Sequence, residues 1–193
     1  MTTYIVVYGC CLKKFGVDCI DYAIDHVGGC EESIARCGTA VGAYIEIARR
    51  RRQKAMILTA GGRTKDCRML EVPNLSDAMW HDLIKFFWLE PREVRLTMSP
   101  DGTNTLRETL VALEELRRLE FNPEQDEIIA VSSWFHLPRI WLIWRLLGIR
   151  VKIYGARAYH RGRWLLEPLK VVKAVVQVIG YYLGIRFLYS ERW

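Results

Sequence analysis

The chain predicts a three-layer α/β sandwich, an open, mainly parallel sheet of five strands with helices on both faces. Three observations carry that prediction. Five short runs, Tyr4–Tyr8, Ala55–Thr59, Glu93–Thr97, Ile128–Val131 and Val151–Tyr154, have strand character, and helical apolar spacing fills most of the chain between them. The run Ile128–Val131 is apolar without alternation, the pattern of a strand buried on both faces of a parallel sheet. At 193 residues the chain suits one domain over 1–193, and no internal repeat, low-complexity tract or linker divides it.

Composition narrows the class. Hydrophobic residues at 51% and charged residues at 26% are those of an ordinary soluble globular protein. The formal charge of +6 permits a small anionic ligand or an anionic surface without demanding a polyanion. No aromatic and basic residues interleave in an RNA-binding signature, so no nucleic-acid partner is expected. Six cysteines, Cys10, Cys11, Cys19, Cys30, Cys37 and Cys67, lie in the first third. None forms a C-x-x-C pair, which gives zinc little support. The segment MTTYIVVYG lacks the basic start and long apolar core of a signal peptide. The expectation is a cytoplasmic protein with reduced thiols, with the inner membrane surface as an alternative site of action.

The elements follow in order. Tyr4–Tyr8 is the first strand and meets Gly9. Cys10 to Cys30 reads as a long loop or lid, with Cys19–Val27 a candidate short helix. Glu31 opens a helix carrying Ile34, Cys37, Val41, Tyr44 and Ala48 on one face and closing on Arg49–Arg52, where cations complement the dipole. Ala55–Thr59 leads into Gly61 and Gly62, read either as a tight turn or as backbone that approaches a ligand closely. The G-x-G-x-x-G dinucleotide fingerprint is absent. A polar loop, Arg63 to Asn74, precedes a helix over Ser76–Leu89 with Leu75, Met79, Leu83 and Phe86 inward. Asp77 sits near its start, either favouring the dipole or serving as a catalytic base or magnesium ligand. After Glu93–Thr97 and the loop Met98–Thr103, Thr105 and Glu108 match a T-x-x-E capping box ahead of a leucine-rich helix. Asn104 stands just before that cap.

The stretch Ile128 to Gly148 reads as strand, tight turn and helix. Ser132 and Ser133 break the apolar run, and either is a candidate helix N-cap. His136 and Arg139 fall three apart and share a helix face. A hydroxyl, an imidazole and a guanidinium at a helix N-terminus suit an anion such as phosphate. The last strand leads into a basic loop with Arg157, His160, Arg161 and Arg163. The final helix, Trp164–Tyr182, carries Leu166, Leu169, Val172, Val175, Val176 and Ile179, interrupted by Glu167, Lys170 and Lys173. It is too polar for a membrane span, and three placements fit it: covering the sheet, packing on a partner, or lying on a bilayer surface. Covering the sheet is the placement expected. Right-handed crossovers would bring Gly9, Gly61, Gly62, Asn104 and Ser132 to one rim, at the carboxyl ends of the strands, where open α/β sheets bind ligands.

Taken together, LTAGG, SDAM, TNT and VSSWFHLPR followed by LLGIRV resemble the YdcF/SanA/ElyC family, a bacterial group built on a domain of unknown function, from Tyr4 to about Gly184. VSSWFHLPR resembles the family's V-T-S-x-x-H-x-x-R-A, LTAGG its S-G-G, and SDAM its S-E-A. The resemblance implies a Rossmann-like α/β domain, a link to the cell envelope, and a site at Gly61, Gly62, Asp77, Asn104, Thr105, Ser132, His136, Arg139 and Glu167. It also implies nucleotide-like ligands, with S-adenosylmethionine proposed for the family. Asp77 stands where the family has a glutamate, and Ile140 where it has an alanine after the arginine.

These readings converge on an enzyme, hydrolase or transferase, acting on a small phosphorylated or nucleotide-like substrate. Arg139 would grip the phosphate, His136 would act as general acid or base, and Asp77 would orient it or hold a divalent metal ion. The alternatives are a non-catalytic binder of such a ligand and an envelope-associated accessory protein with peripheral membrane contact.

Overall fold

The structure is a computed structural model, and it describes residues 1–9, 31–62, 75–99, 104–157 and 163–185. The expected lid, Cys10 to Cys30, the loop Arg63 to Asn74, residues 100–103 and the basic-loop residues His160 and Arg161 lie outside them. Five parallel strands, β1 (Thr2–Tyr8), β2 (Lys54–Gly62), β3 (Val94–Ser99), β4 (Glu127–Ser133) and β5 (Lys152–Ala156), form one sheet in the order β3-β2-β1-β4-β5. The order reverses between β1 and β4. That junction is a topological switch point, the place at whose carboxyl edge open α/β sheets bind ligands.

Among the described residues four helices cover the sheet and a fifth packs outside them. They are α1 (Glu31–Tyr44, running on through a π-helical stretch to Arg50), α2 (Leu75–Lys85), α3 (Thr105–Arg118), α4 (Leu137–Leu146, entered through a 3-10 turn at Trp134–His136) and α5 (Glu167–Tyr182). Side chains alternate along a strand, so the central strands β1, β2 and β4 each serve two cores. Ile5, Val7, Ile57, Ile129 and Val131 pack against Cys37, Ala40, Met79 and Leu83 of α1 and α2. Tyr4, Val6, Leu58, Ile128 and Ala130 pack against Leu113 and Leu116 of α3 and Ile140 and Trp144 of α4. The three-layer architecture read from the sequence is the one observed. Among the described residues no helix is long and apolar enough to cross a membrane.

Several local readings are corrected. The helix expected over Ser76–Leu89 stops at Lys85, so Phe86 is exposed while Leu89 folds back into the core. The cap of α3 is Asn104, whose side chain accepts from Leu106 N at 2.9 Å. The Thr105–Glu108 box therefore does not form, because the helix begins one residue earlier than the motif requires. Neither serine caps α4: its N-cap position is His136, Pro138 follows in its first turn, and Ser133 makes no capping bond. Gly148 does end this helix, at φ +80. The last helix does not cover the sheet. With α3 and α4 already on that face, α5 packs outside them, setting Ala174 and Val178 against Leu106 and Ile143.

Gly61 belongs to β2 rather than to a turn after it. A Cβ there would stand 2.7 Å from Leu75 Cβ and 3.0 Å from Ser76 N. The bare backbone is what lets the start of α2 seat on the strand, where Ser76 Oγ donates to Thr59 O at 2.8 Å. Gly61→Ala is expected to lower stability by about 1–3 kcal/mol in urea titrations, because the atoms met, Leu75 Cβ and the Ser76 nitrogen, are not moved by a rotamer change.

Candidate functional site

The helix N-termini meet the carboxyl edge of the sheet, and the polar residues they carry cluster at the switch point. Arg36 and Glu32 sit in the first turns of α1 and are 1% and 0% exposed. Arg36 donates from Nη1 to the carbonyls of Tyr8 at 2.9 Å and Gly9 at 2.6 Å, closing the end of β1. From Nε it reaches Ser133 Oγ at 3.0 Å, on β4, and from Nη2 it reaches Glu32 Oε1 at 2.7 Å. Ser133 Oγ donates to the same Glu32 oxygen. One guanidinium thus ties the two diverging strand ends together.

Ser132 points to the opposite face of the sheet, since neighbouring strand residues alternate. That face carries α3 and α4, and there a second cluster forms. His136 Nδ1 lies 3.1 Å from Glu167 Oε1, at the start of α5, and also 3.1 Å from Arg139 Nη2. One nitrogen cannot donate to the first and accept from the second. We assign the proton to Nδ1, because an ionised carboxylate beside an imidazole lone pair would be repulsive. Glu167 is ionised. Burial alone would raise its pKa, but the hydrogen bond from His136, the charge of Arg139 and the hydrogen bond from Lys170 outweigh it and hold the group at about 2. Lys170 Nζ donates to Oε1 at 2.9 Å. His136 is held below its ordinary value by burial and by Arg139 and Arg36, against the pull of Glu167. It is therefore neutral at pH 7, with Nε2 carrying the free lone pair. Glu108 on α3 is buried, and burial pushes it up to about 7 despite Arg139 and Arg36 nearby.

Three buried atoms here have no hydrogen-bond partner among the described residues: Ser132 Oγ, Arg139 Nε and Glu167 Oε2. Arg139 Nη1 stands 3.8 Å from Glu167 Oε2, an ion pair too long to be a hydrogen bond. A hydroxyl, a guanidinium N–H and a carboxylate oxygen are thus left to bond something else, since buried polar atoms are normally satisfied.

The sequence-expected residues divide between the two faces of the sheet. Ser132, His136, Arg139 and Glu167 come together, and the carboxylate that orients His136 is Glu167. Asn104 and Thr105 start α3 on the same face; the Thr105 carbonyl accepts from Thr109 Oγ1, which also bonds the Tyr8 hydroxyl at 2.8 Å. Asp77 lies in the first turn of α2 and Gly61 faces the same helix, across the sheet. Gly62 pairs with Ser99 at the end of β2, and the Gly9 carbonyl faces Arg36. Among the described residues no group of three His, Cys, Asp or Glu side chains gathers as a metal cage. Sequence reasoning missed Glu32, Arg36 and Ser133, and took Glu108 for a cap. Glu32 and Arg36 did carry a signal, an i, i+4 pair, but such pairs are ordinarily solvated helix decoration.

A cleft of about 270 Å³ opens at the other end of the strands, lined by Met1, Glu46, Arg51, Gln53, Glu127 and Lys152. Its charged residues pair with one another, Arg51 with Glu46 and Lys152 with Glu127, so they hold no unanswered chemistry.

Fold and site define a parallel α/β protein with a polar, histidine-containing site at the carboxyl edge of its sheet. No family model matches the chain, and no curated protein or solved structure matches it significantly.

The Glu108 pKa makes a checkable statement about stability. The native state binds more protons than the unfolded chain between about pH 4.5 and about pH 7, so this group's contribution falls as pH rises through that window. Glu108→Gln is expected to remove that decline. At pH 8 the variant should be more stable relative to wild type than at pH 5, by an amount of order 3 kcal/mol at most, read by denaturant unfolding at the two pH values.

Proposed function

We propose that the chain binds and acts on a small phosphorylated or nucleotide-like anion at the carboxyl edge of the sheet, as a hydrolase or transferase. The observation that carries this reading is the pairing of a neutral imidazole, fixed through Nδ1 by Glu167, with a guanidinium whose Nε has no partner among the described residues. Arg139 supplies a directed, charged donor for a phosphate or carboxylate oxygen. Ser132 Oγ supplies a second donor, and Glu167 Oε2 an acceptor for a substrate hydroxyl or water. His136 Nε2 takes the proton from the attacking water or hydroxyl as the new bond to the phosphoryl centre forms, and returns it to the leaving group as the old bond breaks. The motif order that resembles the YdcF/SanA/ElyC group supports the same location for the site.

Charge balance adds a pH signature. Arg36, Arg139 and Lys170 are matched by Glu32, Glu167 and ionised Glu108, so an arriving anion finds a spare positive charge only when Glu108 takes a proton. Because Glu108 titrates at about 7, anion binding should tighten as pH falls through that value, and Glu108→Gln should bind with no such component.

The test is a hydrolysis screen over phosphomonoesters, phosphodiesters and nucleotides, with and without magnesium or manganese, paired with calorimetry. His136→Ala should lower kcat by about 10²–10⁴-fold while ligand affinity changes little. Arg139→Lys should weaken binding by roughly tenfold or more, because the planar donor set is lost. Full turnover in His136→Ala would remove the general-base role. Binding that depends on Arg139 with no turnover on any substrate, S-adenosylmethionine included among the ligands, would leave a binding module.

A further inference from the structure

Helix α5 is built inside out for a helix on a soluble surface. Its inward residues are small or polar: Ala174, Gln177, Val178 and Gly180 are buried, and so is Glu167. Its large apolar residues face outward. Leu165, Leu169, Val172, Val176, Ile179 and Leu183 are exposed by 62%, 69%, 63%, 40%, 51% and 65%. They recur at intervals of four and three, so they form one continuous stripe along the helix and its two ends. An amphipathic helix ordinarily turns such a stripe to the core. Here α3 and α4 occupy that position, and the stripe stays uncovered. The neighbouring α4 extends it, with Trp141 43% and Leu146 39% exposed. Tyr182, itself exposed, ties the two helices together by donating to the Leu146 carbonyl at 3.0 Å.

Charge decides what can cover this face. From Trp134 to Ile185 the chain carries nine Lys or Arg residues and one acid, Glu167; of the nine, Arg139 and Lys170 pair with Glu167, and Lys152 pairs with Glu127 at the far end of the strands. Glu167 is buried and engaged with His136 and Lys170. The remainder of the chain before Trp134 carries twenty acids against seventeen Lys or Arg, so the positive excess is local to this segment. On the face itself Arg145 stacks over Trp141, 5.9 Å from the ring centroid, and Lys173 lies beside the middle of the stripe. A second copy of the chain is a poor occupant. Two α5 stripes paired about their common midpoint bring Lys173 against its counterpart, and among the described residues of α4 and α5 the one acid, Glu167, is buried. The occupant has to be apolar beneath and negative above. Tyr181, Tyr182 and Trp141, each an apolar ring with a polar edge, add the side chains that settle at a lipid–water boundary.

We propose that the outer face of α4 and α5 docks on an anionic lipid bilayer, with α5 lying in the interfacial plane. Leu165, Leu169, Val172, Val176, Ile179 and Leu183 enter the acyl boundary, and the flanking lysines and arginines meet the headgroups. This docking does not depend on the chemistry assigned to His136. It does place Glu167, the first residue of α5, within the same helix that rests on the lipid.

Co-sedimentation of the full chain with vesicles tests this. Phosphatidylcholine vesicles containing about 30 mol% phosphatidylglycerol should carry the protein down at low salt. Pure phosphatidylcholine should carry down far less, and ~0.5 M salt should release much of the bound protein as the charges are screened. Leu169→Glu with Ile179→Glu should weaken binding roughly tenfold or more, since two apolar anchors become charges of the wrong sign. Both positions are exposed, so the thermal unfolding profile should be unchanged. A milder pair, Val172→Gln with Val176→Gln, provides the same comparison without added charge. Wild-type protein that stays in the supernatant at low salt would overturn the proposal. So would vesicle binding that both variant pairs retain, or a dimer in sedimentation velocity that these substitutions dissociate.

Discussion

The arrangement of the polar edge depends on the guanidinium of Arg36. A doubly wound sheet leaves an awkward place where its strand order reverses, because the ends of β1 and β4 part and their carbonyls lose neighbours. Arg36 fills that place, accepting the cost of a buried charge by meeting the Tyr8 and Gly9 carbonyls, Ser133 and Glu32 at once. A buried ion pair repays its desolvation only when nearly every donor and acceptor is satisfied, and removing one partner of such a pair typically costs about 3–5 kcal/mol. The same contacts hold the first turns of α1 against the ends of β1 and β4.

On the other face that second cluster is set by competition between burial and charge. Glu167, Glu108 and His136 are all largely shielded from water, yet they respond differently. Glu167 accepts from His136 and Lys170 and stays ionised far below the usual carboxylate range. Glu108 has only the distant fields of Arg139 and Arg36 to set against burial, and titrates near neutrality. His136 loses its proton affinity to burial and to the same two arginines. One cluster therefore holds a fixed anion, a neutral imidazole and a group poised to change state.

Packing decides which polar atoms become available. The bare backbone of Gly61 is filled by Leu75 and Ser76, so that part of the rim is occupied by the start of α2. Ser132 Oγ, Arg139 Nε and Glu167 Oε2, by contrast, are enclosed without being answered by protein groups that the structure describes. Enclosure and lack of a partner together distinguish them from the many rim residues whose roles close within the fold, such as Asn104 at its cap and Thr105 beneath Thr109.

Local periodicity was enough to read the layers. Apolar β-branched runs and helical spacing depend only on neighbours within a few residues, and they located all five strands and their intervening helices. The same local logic found His136 and Arg139, which share one turn of helix. It paired the imidazole with Asp77 as one option, took Glu108 for part of a capping box, and passed over Glu32 and Arg36. Those assignments depend on which face of the sheet each helix covers and on which strand ends meet at the reversal, and both need contacts distant along the chain, such as Tyr8 with Thr109 and Glu32 with Ser133, each 101 residues apart. The outward stripe of α5 has the same origin. Its spacing predicts an apolar face, but only the prior occupation of the sheet by α3 and α4 turns that face to the outside.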